Sequence, residues 1–349
     1  MKKEIKSEVF IQRCFDLALR GGKKVRPNPM VGAVLVYKDR IIGEGYHAFF
    51  GGPHAEVNCL KSVKDADRKL ISFSTLYVSL EPCNYFGKTP ACTNLILENK
   101  IPEVVIATTD PNPEVDGKGL QLLTDNGVKV QTNILKEQGD DLIKYFKVNH
   151  LQKRPYIILK IVKSKDNFIG KTGKKIWISN EHSSLLSHKW RTEVDGIMVG
   201  TNTIMNDDPK LNNRLYPGTA PSRIILDRTN KIPADFNVKD NSNPTYFINN
   251  SIQDLSNPNE MYYKIDFDQK DFLKTLMEGM FEKGIFVLLV EGGSKLIQSF
   301  LSNNLWDEAR VISSSKLLES GIRAPNITGI LKKKVNLGTD QLQIILPLE

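Results

Sequence analysis

Pro53-His54-Ala55-Glu56, read together with Pro82-Cys83 and Cys92, is the stretch on which the reading of this chain turns. It supplies one histidine, one carboxylate and two cysteines close together in sequence. Imidazole nitrogen and thiolate sulfur are zinc ligands. Three of them, His54, Cys83 and Cys92, leave a fourth tetrahedral position open, as a catalytic zinc requires. Glu56 stands beside them without being needed as a ligand. A carboxylate next to a metal-activated water can move protons, which is the chemistry of hydrolytic removal of an amino group from a ring carbon. A structural zinc would prefer four protein ligands, and the further candidates nearby are Cys59 and His47. The commonest form of the motif has two residues between its cysteines. Here eight, Asn84 to Ala91, separate Cys83 from Cys92.

Around the motif the pattern alternates strand and helix. Glu8 to Arg20 carries Phe10, Cys14, Leu17 and Ala18 at helical spacing and stops at Gly21-Gly22. Met30 to Tyr37 reads as a buried strand, with a hairpin at Asp39-Arg40. Ala55 to Lys61 reads as a helix, with His54 at the turn into it and Glu56 in its first turn. Thr75 to Leu80 is a strand that delivers Cys83 at its end, and Cys92 opens a helix over Thr93 to Asn99. Val104 to Thr108 and Val128 to Val130 are strands, and Leu120 to Asp125 and Gln138 to Asn149 are helices. Such alternation predicts an α/β sandwich.

Composition bounds the rest. A chain of 349 residues is long for one core, so two domains are expected, meeting near Leu151 to Pro155. No apolar run reaches the roughly 18 residues of a transmembrane helix, and Met1-Lys2-Lys3-Glu4 does not open a signal peptide. Four cysteines in so long a chain suit a reducing compartment and a metal rather than a disulfide framework. These points predict a cytoplasmic protein with no membrane partner. The net charge is +8, but the lysines are scattered and form no basic stripe with aromatics. An acidic small molecule such as a phosphate ester is the expected partner, not nucleic acid. Lys332-Lys333-Lys334 reads as a solvated turn.

In the second half, Tyr156 to Val162, Ile197 to Gly200, Arg223 to Asp227 and Ile285 to Val290 read as strands. Asn180 opens a helix to about Glu193, with Leu185, Leu186 and Trp190 expected inward, and Phe272 to Phe281 is helical. The last of these strands runs into Glu291-Gly292-Gly293-Ser294 and a helix. On the residues alone this is either a phosphate cradle or an ordinary helix start, and the full dinucleotide fingerprint is absent.

Pro27-Asn28-Pro29-Met30-Val31-Gly32, Gly45-Tyr46-His47, Gly51 to Glu56, Glu81-Pro82-Cys83 and Gly87 to Cys92 closely resemble the bacterial bifunctional riboflavin-biosynthesis deaminase/reductase family. Asp110 to Pro113 with Gly117-Lys118-Gly119 extends the likeness. The long cysteine gap belongs to that family and differs from cytidine and tRNA adenosine deaminases. Leu159-Lys160, Ser164, Asp166, Trp177-Ile178-Ser179, Val199-Gly200 and Asp207-Asp208-Pro209 resemble its reductase half.

The resemblance implies a three-layer cytidine-deaminase-like domain over residues 1–150 and a dihydrofolate-reductase-like α/β domain over 151–349. It implies zinc on His54, Cys83 and Cys92, proton transfer by Glu56, and substrate contacts at Asn28, His47 and Lys88. NADPH contacts would be Val162, Trp177, Thr203, Asp207, Arg228, Gly293, Ser294 and Lys295. Substrate contacts in the second half would be Lys175, Arg191, Leu211, Arg214 and Glu291, the two arginines suiting a 5-phosphate. A homo-oligomer formed through the second domain is also implied. Lys175 departs from the family's usual serine, and Asp166-Asn167 from its usual Asp-Gly.

Overall fold

The structure, a computed structural model, describes residues 2–84, 91–112, 117–251 and 259–348. It divides into two compact units, Met1–Lys153 and Arg154–Glu349.

The first unit runs α1 (Lys2–Ala18), β1 (Gly32–Tyr37), β2 (Arg40–Tyr46), α2 (Ala55–Lys61), β3 (Thr75–Leu80), α3 (Cys92–Glu98), β4 (Glu103–Thr108), α4 (Lys118–Asp125), β5 (Lys129–Gln131), α5 (Lys136–Leu142) and α6 (Lys144–Gln152). Its sheet has the order β2-β1-β3-β4-β5. β1 is antiparallel to both neighbours, and β3, β4 and β5 are parallel. The strands are apolar along their length because both faces are covered. Ala33, Leu35, Val104 and Ile106 pack with Cys59 and Ile96, whereas Val34, Val36, Val105 and Ala107 pack with Ile11, Cys14 and Phe15 of α1. This is the expected three-layer α/β arrangement.

The second unit continues with β6 (Tyr156–Lys163), β7 (Phe168–Gly170), α7 (Glu181–Glu193), β8 (Gly196–Gly200), α8 (Thr201–Asp207), β9 (Ser222–Leu226), β10 (Thr245–Asn249), β11 (Glu260–Lys264), α9 (Phe272–Glu282), β12 (Val287–Val290), α10 (Ser294–Ser302), β13 (Glu308–Ser313), β14 (Ile322–Arg323), β15 (Ile330–Leu337) and β16 (Asp340–Leu346). The main sheet has the order β11-β10-β9-β8-β12-β6-β13-β16-β15. It is parallel from β11 to β13 and closes with the antiparallel β16–β15 hairpin. The adjacent ends of β8 and β12 lead into α8 and α10, the kind of edge at which open parallel sheets bind ligands.

Several expectations need correction. Lys332, Lys333 and Lys334 lie on β15, not in a turn. They are exposed on an edge strand, where lysines discourage pairing with other chains. The helix expected over Gln138 to Asn149 is two helices meeting at Ile143. Leu185 is 45% exposed and Leu186 only half-buried; Trp190 is buried as expected, together with Ser183, Ser187 and His188.

Close approach of α2 to β2 requires Gly45. A Cβ there would sit 2.2 Å from the Cys59 backbone nitrogen and 2.5 Å from the Ala55 carbonyl oxygen. Backbone on both sides cannot yield without shifting the helix that starts at His54. Gly45→Ala should therefore destabilise the protein by about 1–3 kcal/mol, measured by denaturant unfolding, and an unchanged midpoint would contradict this packing.

Candidate functional site

Three chain segments converge in the first unit. His54 is the N-cap of α2 in extended conformation, Cys83 follows the end of β3, and Cys92 is the first residue of α3. His54 Nδ1 lies 3.5 Å from Cys83 Sγ and 3.3 Å from Cys92 Sγ, and the three ligand atoms are all within 4.8 Å of one another. Tetrahedral zinc with bonds of about 2.0–2.3 Å spaces its ligand atoms about 3.3–3.8 Å apart, so this donor set fits the ion. The Cys92 N–H donates to Cys83 Sγ at 3.3 Å and the Thr93 N–H to the Cys83 carbonyl at 3.1 Å. Hydrogen bonding from the Cys92 thiol, and then from His54, holds Cys83 well below the ordinary thiol range, which favours the ligating thiolate.

Glu56, in the first turn of α2, is 3% exposed. Burial, reinforced by the negative charge on Cys83, pushes its carboxyl up to about 7. Asn28 and His47 reach the same place. The His47 ring packs edge-on to His54 with centroids 5.6 Å apart. Its Nδ1 is 3.0 Å from the Pro53 carbonyl and its Nε2 3.2 Å from Asn28 Nδ2. A carbonyl only accepts, so Nδ1 carries the proton and Nε2 accepts from Asn28. Burial lowers the pKa of His47, which favours this neutral form. Lys88 lies outside the described residues.

Glu81 has a role that the sequence reading did not give it. Its buried carboxylate accepts the N–H groups of Asp110 (3.3 Å), Gly117 (3.2 Å) and Gly119 (3.1 Å). It thereby ties the backbone two residues before Cys83 to the start of α4. A glutamate beside a Pro-Cys ligand pair was the available signal.

A second cluster lies in the other unit. Glu291, just after β12, receives the Arg191 fork at 2.8 and 2.9 Å and Lys160 Nζ of β6 at 3.0 Å. Arg191 also donates to the Asn212 carbonyl at 2.7 Å. Although burial opposes ionisation, the Arg191 and Lys160 charges hold Glu291 well below the usual carboxylate range. Arg191 is thus committed to Glu291, while Arg214 is exposed and makes a long 3.4 Å contact with Asn212 Oδ1. Leu211 belongs by its side chain to a core with Ile197, Val199 and Ile204.

The residues implied for the cofactor are more dispersed. Gly293 caps α10, whose first turn contains Ser294 and Lys295, and a Cβ on Gly293 would sit 3.8 Å from Thr203 Oγ1. Lys175 Nζ donates to the Asp207 carbonyl at 2.9 Å. Trp177 is 62% exposed, with its carbonyl held by Lys316 Nζ at 2.9 Å. Val162 packs with Phe168, Ile178 and Leu318. Arg228 is ion-paired with Asp268. Asn167 adopts φ +69°, a left-handed conformation that asparagine tolerates nearly as glycine does.

Two family models match the chain: "Cytidine and deoxycytidylate deaminase zinc-binding region" over residues 4–108 and "RibD C-terminal domain" over 155–343. The riboflavin biosynthesis protein RibD of Aquifex aeolicus is 35% identical over 95% of this chain and 96% of its own. That of Bacillus amyloliquefaciens is 33% identical over 92% and 87%. The chain belongs to the RibD family. Among solved structures, a Thermotoga maritima deaminase/reductase superposes with a TM-score of 0.88 at 32% identity, covering 99% of this chain and all of that one. RibD of Acinetobacter baumannii gives 0.86 at 29%, with the same coverage. The chain is accordingly a bifunctional riboflavin-biosynthesis enzyme, a zinc-dependent deaminase joined to an NADPH-dependent reductase, as its motifs imply.

The Glu291 cluster makes a sharp prediction. Glu291→Gln leaves two partly buried cations without their carboxylate, which should cost about 3–5 kcal/mol at neutral pH. The folded pKa of Glu291 is depressed, so its contribution is full above the unfolded value of 4.5 and is lost as pH falls below it. Thermal unfolding of wild type and variant should differ by a constant gap at higher pH that narrows on acidification below 4.5. A gap independent of pH would contradict the assignment.

Proposed function

We propose that the first unit deaminates 2,5-diamino-6-(5-phosphoribosylamino)pyrimidin-4(3H)-one and that the second reduces the ribosyl group of the product, 5-amino-6-(5-phosphoribosylamino)uracil, to ribityl. The Thermotoga relative is named for the corresponding deaminase and reductase activities. The observation that carries the reading is the approach of His54 Nδ1 to both cysteine sulfurs beside the buried carboxyl of Glu56.

In this mechanism His54, Cys83 and Cys92 would hold zinc, which would supply the Lewis acidity that makes a water nucleophilic near neutral pH. Glu56 accepts the proton of the attacking water at a carboxylate oxygen and returns it to the departing amine. Asn28 and His47, locked to each other, present fixed polar groups to the pyrimidine. Glu81 keeps Cys83 in register.

In the second unit a bound NADPH would be the source of the hydride. The backbone N–H groups at the start of α10, with Gly293, Ser294, Lys295 and neighbouring Thr203, would hold its phosphates. Val162, Trp177, Asp207 and Arg228 would line the remainder of the cofactor. Arg214 is the guanidinium available to grip the substrate 5-phosphate. Arg191 acts chiefly by fixing Glu291 beside Lys160, so that the carboxylate faces the sugar chain. Lys175 takes the place of a smaller hydroxyl residue and lies against the Asp207 backbone. Leu211 shapes the pocket from behind.

The enzyme is inferred to work in the cytoplasm as a homo-oligomer associated through the second unit, without nucleic acid. No helix among the described residues is long and apolar enough to cross a membrane.

Glu56→Gln should retain zinc, measured by metal analysis, while ammonia release falls by about 10²–10⁴-fold. A variant that deaminates at the normal rate with zinc bound would show that another group moves the proton.

A further inference from the structure

Helix α7 buries a largely polar face. Ser183 Oγ donates to Asp340 Oδ2 at 2.7 Å, and Ser187 Oγ to the Ser183 carbonyl at 2.9 Å. His188, on the same buried side, is different. It is 4% exposed, and among the described residues its Nδ1 has no hydrogen-bond partner. A buried polar atom in that condition carries a desolvation penalty that no protein group offsets, so native proteins keep few of them.

His188 precedes Arg191 by three residues, so the two share a helix face. Arg191 on that face grips Glu291, and Lys160 meets the same carboxylate. The charges acting on the imidazole are those of Arg191, Arg214, Glu291 and Lys160. His188 therefore belongs to the cluster assigned to the substrate of the reductase half. Burial, then the Arg191 and Arg214 cations, lowers its pKa to about 4, so the ring is neutral in the physiological range.

We propose that His188 contacts the sugar chain of the reductase substrate, its Nδ1 forming a hydrogen bond with a hydroxyl of the ribosyl group. This rests on the reductase reading given above. The chemistry selects a hydroxyl over the other substrate groups. A phosphate only accepts and is better served by the cations present. A hydroxyl donates and accepts, and so pairs with Nδ1 in either tautomer.

The test uses the full chain, with NADPH oxidation followed on authentic deaminated ribosylamino phosphate. His188→Leu removes the polar atom while filling much of the space. It should raise KM for the sugar phosphate about tenfold, the worth of one hydrogen bond, with KM for NADPH unchanged and Tm not lowered. An asparagine amide reaches the position of Nδ1, whereas a glutamine amide reaches that of Nε2. His188→Asn should therefore stay within about threefold of wild type, and His188→Gln should behave like the leucine variant.

Unchanged substrate KM in His188→Leu would overturn the proposal, and so would a lowered Tm with normal kinetics, the mark of a purely structural histidine. If His188→Leu does not fold, the Asn and Gln pair decides, equal KM values counting against the contact. Failure of the wild-type chain to oxidise NADPH with this substrate is a separate result, because it removes the reductase reading and the proposal with it.

Discussion

Two cysteine sulfurs and a histidine nitrogen within 4.8 Å of one another are a costly combination unless a cation joins them. As thiolates the sulfurs repel each other; as thiols their S–H groups compete for few acceptors. The first unit is organised to hold this set together. A strand end and two helix starts are required, each from a different part of the chain, and each is anchored by backbone. Gly45 lets α2 lie close against β2, Glu81 ties the end of β3 to α4, and the N–H groups of Cys92 and Thr93 clasp Cys83. Glu56 is carried in by the helix that presents His54, so ligand and proton carrier move as one body.

The second unit solves a related problem with ion pairs. Glu291 lies buried between Arg191 and Lys160, three charges supplied by β12, α7 and β6. Removing the carboxylate leaves both cations without a counter-charge. The arrangement ties the end of β12 to the middle of β6 and makes a charged wall at the sheet edge where ligands bind in this kind of fold. It also explains why the two arginines implied for the substrate are not equivalent: one is committed to the wall, and the other is exposed.

Much of this was legible in the sequence because buried strands read as apolar runs. Met30 to Tyr37, Thr75 to Leu80, Tyr156 to Val162 and Ile285 to Val290 all lie on strands or overlap them closely, and the His54, Cys83 and Cys92 spacing carried the metal centre. What failed lacks a one-sided apolar signal. β15, with its three lysines, is an edge strand and looks like a solvated turn. β10 and β11, late in the parallel order, also went unread. Of the inner face of α7 expected from Leu185, Leu186 and Trp190, only Trp190 is buried, and Ser183, Ser187 and His188 take the places of the leucines. Ser183 goes inward there because its hydroxyl meets Asp340, a tertiary reason that periodicity does not contain. Glu81 and Lys160 were quoted as parts of motifs, but their roles depend on partners distant in sequence.

The central claim is that one chain performs two ordered steps, the first dependent on zinc and the second not. Following NADPH oxidation by the purified chain before and after zinc removal tests it most directly, with the diaminopyrimidinone and the deaminated intermediate supplied in parallel. The account predicts that the diamino compound supports oxidation only in the zinc-loaded protein, whereas the deaminated compound supports it in both. Oxidation driven by the diamino compound in zinc-free protein, or none with the deaminated compound in either, would contradict it.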